Sequence, residues 1–247
     1  MAKHLQMVTQ IGDREASREA VLSWELTRLK SVSRLLGAPA PDGGDVDDLR
    51  RRLFELKRII GPTQLQRKLR TRVRLGNSIS LVAAKSAKGE RIASSVKITV
   101  PAGSAEEFVR WFNDQSALPD SDAMLAACPD HYFIGEDDNG RQKVVETTGG
   151  SPLPTEFFID YNDISSLKLQ ASDEYPFQIA GVARTAAGLP IGGVRHQFRN
   201  LINGGFESWN TVEFPKHVGD RVAKGHQWHL ACEFGNWIEF HQARTVL

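Results

Sequence analysis

Up to residue 73 the apolar residues of this chain recur every three or four positions, whereas from residue 78 they largely alternate, which requires a helical segment followed by a sheet. Val21, Leu22, Leu26, Leu29, Val32, Leu35 and Leu36 form one stripe, predicting a helix over about 13–37 with Asp13 as its cap and Gly37 as its stop. Asp45 or Asp47 caps a second helix that carries Leu49, Leu53, Leu56, Ile59 and Ile60 and ends at Gly61-Pro62. A third helix, carrying Leu65, Leu69 and Val73, holds the basic run 66–74, which reads as a solvated face or subunit contact before it reads as a phosphate or nucleic-acid site.

Beyond it, Ile79 to Ala84 reads as a strand, and Val96, Ile98 and Val100 as another. Ser104-Ala-Glu-Glu107 is a capping box opening a short helix with Phe108, Trp111 and Phe112. Strand patterns follow at Tyr132 to Ile134, Gln142 to Thr147, Phe157 to Asp160, Phe177 to Arg184, Val194 to Leu201 and Phe206 to Phe214. With a helix at the C-terminus, this order is that of an α+β helix-grip domain, in which a curved antiparallel sheet wraps a long last helix around a ligand-sized cavity. The expected division is an N-terminal helical extension, 1–77, and a helix-grip domain, 78–247.

The chemistry of the last segment depends on its secondary structure. His229 and Glu233 lie four residues apart: on a helix they project toward one point about 6 Å along the axis, whereas on a strand they lie roughly 13 Å apart. Trp228, Leu230, Cys232 and Phe234 alternate, but Leu230, Phe234, Trp237, Ile238 and Phe240 also fit an amphipathic helix, and the helix is the preferred reading. Such a pair suits a metal ion, or is an ordinary hydrogen-bonded pair. A second pair comes from hairpin register: a turn centred on Asp138-Asn139-Gly140 places His131 and Glu146 opposite each other or one diagonal apart, with Cβ atoms about 5–8 Å apart. These two are either a cross-strand polar pair or, with the helical pair, ligands meeting in the cavity, where nitrogen and carboxylate donors suit zinc or another first-row divalent metal. His196 on its strand is a candidate acid or base, or a satisfied structural histidine. His226, one turn before His229, is second to the site or exposed.

Other classes find little support. The net charge is +1, so no nucleic-acid or membrane partner is expected and a small molecule is the favoured one. Cys128 and Cys232 form no CxxC pair, which points away from a disulfide scaffold or a thiolate zinc site and toward a reducing compartment. No secretory signal pattern or bilayer-length apolar run occurs, so a cytoplasmic protein is expected. The glycine pairs 149–150, 192–193 and 204–205 make no phosphate-cradling motif and read as turns or bends in a curved sheet.

Pro129-Asp-His131-Tyr132, Val144-Val-Glu146-Thr-Thr-Gly149-Gly150, Arg195-His196-Gln-Phe198 and His229-Leu-Ala-Cys-Glu233-Phe234-Gly-Asn236 resemble, in this order, the motifs of the diacetylphloroglucinol hydrolase and phloretin hydrolase family. The resemblance covers roughly residues 90–245. It implies a START-like helix-grip fold, zinc held by His131, Glu146, His229 and Glu233, and hydrolysis of a carbon–carbon bond beside an aryl ketone. The segment between His131 and Glu146 is shorter than in the family and lacks its additional tryptophan and histidine motif, and the N-terminal helices look unrelated. The expectation is a zinc-dependent hydrolase of a small, ketone-bearing, aromatic or polyketide-like substrate, its apolar N-terminal stripes offering a homo-oligomer contact. The alternative is a non-catalytic helix-grip protein that binds a small hydrophobic ligand.

Overall fold

The fold is described from a computed structural model, which covers residues 4–39, 43–137, 141–202 and 204–245. Its described residues form nine strands and six α-helices. β1 (Val8–Ile11) and β2 (Arg14–Ser17) are joined by a two-residue turn, with Gly12 at φ 63°, a conformation that favours glycine. Then come α1 (Arg18–Leu35), α2 (Val46–Ile60), α3 (Pro62–Ala87), β3 (Arg91–Val100), α4 (Ala105–Ser116) and α5 (Asp122–Ala126). β4 (His131–Glu136), β5 (Gln142–Glu146), β6 (Thr155–Asp160), β7 (Phe177–Arg184), β8 (Pro190–Asn200) and β9 (Phe206–Pro215) complete the sheet, and α6 (Asp220–Thr245) follows a short 3-10 turn, Lys216–Val218.

All neighbouring strands pair antiparallel in one curved sheet, of order β2-β1-β3-β9-β8-β7-β6-β5-β4. α6 packs on its inner face, where Leu230, Phe234, Trp237 and Ile238 share a core with Val96, Ile98, Val194 and Phe206. The α+β class, the antiparallel sheet and the C-terminal helix agree with the sequence reading.

The first three helices build a second core on the other side of the β4–β5 hairpin. Leu29, Val32, Leu53, Leu65 and Leu69 pack there with Tyr132 and Val145. Because a strand sends successive side chains to opposite faces, β5 turns Val145 toward these helices and Val144 and Glu146 toward the sheet interior. The N-terminal helices thus back the strands that carry His131 and Glu146.

Three local expectations are corrected. Ile79 to Ala84 is the continuation of α3, because Ala83, Ala84 and Ala87 are buried at helical spacing and the helix runs unbroken from Pro62. The boundary drawn between 77 and 78 falls inside that helix. Asp13 is a turn residue, and the N-cap of α1 is Ser17, whose side chain accepts from the Ala20 amide. Asp45 and Ser104 do cap α2 and α4. The expected turn Asp138-Asn139-Gly140 lies outside the described residues.

Candidate metal centre

Three elements, β4, β5 and α6, supply the site. β4 opens with His131, paired directly with Glu146 of β5, and the register slips by one residue at Tyr132 before Phe133 pairs with Val145. Tyr132 alternates away from His131 into the helical core, and the bulge lets Phe133 pack on that same side while Ile134 returns to the interior. α6 supplies His229 and Glu233 from consecutive turns. The glycines following Glu146 bring the strand and helix together: a Cβ at Gly149 would lie 2.5 Å from the Gly225 carbonyl oxygen, and one at Gly225 would lie 2.3 Å from the Gly150 Cα. The double glycine, read from sequence as a bend, is a close crossing of two backbones.

His131 Nδ1 is 2.8 Å from the Met124 carbonyl oxygen, which can only accept, so Nδ1 donates and Nε2 faces the site. That Nε2 lies 3.2 Å from His229 Nε2, 3.1 Å from Glu233 Oε2 and 3.9 Å from Glu146 Oε2. His229 Nε2 lies 3.5 Å from Glu233 Oε2 and 3.8 Å from Glu146 Oε2. For a tetrahedral ion with bonds of 2.0–2.1 Å, simple geometry separates ligand atoms by about 3.3–3.4 Å. Five of the six edges of this four-atom figure bracket that value.

The electrostatics favour a cation among these atoms. Burial works against charge on His229, but Glu146 and Glu233 outweigh it and raise its pKa to about 9. Burial likewise opposes the Glu233 carboxylate, yet hydrogen bonds from His131 and His229 hold its pKa well below the usual range, and Glu146 is lowered by His229, His226 and His131 despite its burial. Two carboxylates and two facing imidazole nitrogens need either protons or a metal ion between them.

The surrounding groups extend the cluster. His226 is buried; its Nε2 lies 3.9 Å from Glu146 Oε1, its Nδ1 lies 3.4 Å from Ser94 Oγ, and its ring stacks on His229. Cys128 Sγ lies 3.7 Å from His229 Nδ1, on the opposite side of that ring from the carboxylates, and burial pushes its thiol pKa up. Cys128, His131 and His229, and likewise Glu146, His226 and His229, are buried groups that could hold a metal ion. The first of these was not foreseen, because Cys128 carries no motif and reaches His229 only through the fold.

Glu146, Glu233 and His226 open onto a cavity of about 210 Å³, ample beside the roughly 10–15 Å³ that one water occupies. Phe112, Ile134, Val144, Phe157, Ile159 and Trp237 supply apolar wall, and among the described residues no arginine or lysine lines it. His196, on the inner face of β8, also lines it: its ring lies 4.7 Å from that of Phe234, and its buried Nδ1 has no hydrogen-bond partner among the described residues. Burial lowers its pKa to about 4, so it stands neutral near pH 7. Tyr161 donates to Gln142 Oε1 at 2.7 Å in the same wall, a pair that no sequence signal marked. No helix among the described residues is long and apolar enough to cross a membrane.

No protein-family model matches the chain, and no curated protein is significantly similar to it.

Proposed function

We propose that this chain is a metal-dependent hydrolase that cleaves a carbon–carbon bond beside a ketone in a small aromatic or polyketide-like substrate, as its resemblance to the diacetylphloroglucinol and phloretin hydrolases implies. His131, Glu146, His229 and Glu233 are its metal ligands, and zinc is the preferred ion, since two imidazole nitrogens and two carboxylate oxygens suit it. The observation that carries this reading is that the four ligand atoms gather at the edge of a cavity, with 3.1–3.9 Å between them in five of their six pairs. The Cys128 group is a weaker set, because the Met124 carbonyl already takes His131 Nδ1 and Cys128 Sγ faces the wrong nitrogen of His229. As the partner of His229 Nδ1, the thiol instead orients the ring for ligation through Nε2.

A bound divalent ion supplies Lewis acidity, polarising a carbonyl and acidifying water. The chain's own residues do the rest. Apolar walls take the aromatic body of the substrate, and among the described residues the lining offers no arginine or lysine to pair with an anionic group. Neutral His196 offers Nδ1 to a polar atom of the substrate, a hydrogen bond that this buried nitrogen otherwise lacks. Two free, buried cysteines accord with a cytoplasmic setting.

The test is a panel of phenols acylated on a ring carbon, incubated with the metal-loaded protein, with the released carboxylic acid and deacylated phenol measured. Turnover that is lost on chelation and in Glu233→Ala supports the reading. Binding of the same compounds without turnover, unchanged by alanine at all four positions, supports a ligand-binding protein instead.

A further inference from the structure

α3 holds six basic residues and no acidic one, in a chain whose net charge is only +1. Arg67, Lys68, Arg70, Arg72, Arg74 and Lys85 are all exposed, and none forms an ion pair among the described residues. The near-neutral total hides this asymmetry, because acidic residues elsewhere offset it. The same helix exposes Leu75 by 53%, Ile79 by 54% and Val82 by 66%, at the i, i+4, i+7 spacing of a single stripe. Ile79 also lines the cavity, together with Gly76 and Ser80, so the middle of the stripe meets the cavity. Arg221 and Lys224, both exposed, flank Val222 on the other side of the lining.

We propose that α3 docks on an anionic lipid surface, with its apolar stripe at the acyl boundary and its basic residues among the headgroups, so that the cavity opens against the membrane. A lipid surface is the partner that satisfies both halves of the pattern. A second copy related by a two-fold axis would set two uncompensated basic faces against each other. A nucleic acid would take the charge but leave the apolar stripe unused, and α3 has no aromatic residue on which a base could stack. The consequence for substrate entry rests on the proposed function, because only an apolar ligand gains by arriving from a bilayer. The docking itself does not depend on the metal.

Sedimentation of the full chain with phosphatidylcholine vesicles, with and without phosphatidylserine, tests the proposal. Binding is expected to need phosphatidylserine and to weaken with salt. Arg70→Glu with Arg74→Glu should lower it at least about ten-fold, and Leu75→Gln with Val82→Gln should abolish what survives in high salt. Circular dichroism and metal content, measured on the same preparations, establish that the variants are folded and separate a failure of docking from a failure of the metal site. No sedimentation with phosphatidylserine vesicles, or wild-type binding by both folded variants, overturns the proposal. So does a dimer that dissociates in the Leu75 and Val82 variant, or tighter binding to duplex DNA than to vesicles.

Discussion

Behind the four proposed ligands lies a tier of buried charged groups. Lys57 is almost fully buried, its ammonium donates to the Cys128 carbonyl at 3.4 Å, and burial lowers its pKa to about 8. The unfolded chain holds that proton more tightly, so stability is lowest and flat below pH 8 and rises between about 8 and the ordinary lysine value. Lys57→Met should therefore stabilise the fold by on the order of 1–3 kcal/mol at pH 7, with a smaller gain at pH 10. Urea denaturation at both pH values measures it, and an equal gain at both would show that packing, not charge, is responsible. Arg28 behaves in the opposite way. It grips the fully buried Asp130, beside His131, with bonds of 2.8 and 2.6 Å. Arg28→Ala strands that carboxylate and should cost about 3 kcal/mol while weakening metal binding, and adding Asp130→Asn should recover much of the stability. Neither residue stood out in the sequence, because a buried ion pair between positions 28 and 130 leaves no local pattern.

Individual elements were legible where their information is local. The pairing of His131 with Glu146 followed from alternation on two short strands around an Asp-Asn-Gly turn, and the caps at Asp45 and Ser104 from a few adjacent residues. The closing segment satisfied two periods at once, and burial of its helical stripe against the sheet decides for the helix. The stretch from Ile79 to Ala84 misled because apolar and β-branched residues favour strands, whereas its alanines are there to let α3 lie close to its neighbours. β1 and β2 were missed because strands of four residues carry too short a pattern to stand out, and they form by pairing, β1 with β3 and β2 with β1. Gly76 tests how tightly α3 is seated, since a Cβ there would fall 2.2 Å from the Pro154 carbonyl oxygen. Replacing a mid-helix glycine by alanine ordinarily gains up to about 1 kcal/mol. Gly76→Ala is instead expected to lose about 1–3 kcal/mol, because a backbone atom must move, and a melting temperature at or above wild type would refute the close seating.

On the scale of the whole molecule, the N-terminal helices and the sheet are two sides of one site. β1 continues the sheet beyond β3, and α1, α2 and α3 cover the face of β4 and β5 opposite His131 and Glu146. A fragment of residues 78–247 would cut α3 and uncover Tyr132 and Val145, so it should neither melt cooperatively nor retain metal; a folded, metal-binding fragment would show that the helices are dispensable. The central claim is that two strands and one helix bring two histidines and two glutamates to a single ion. Its most direct test is elemental analysis of purified, metal-replete protein beside His229→Ala and Glu233→Ala, with circular dichroism to establish folding. The expected result is about one divalent ion per wild-type chain and little or none in the folded variants. Folded wild-type protein without stoichiometric metal, or variants that keep it, would contradict the claim.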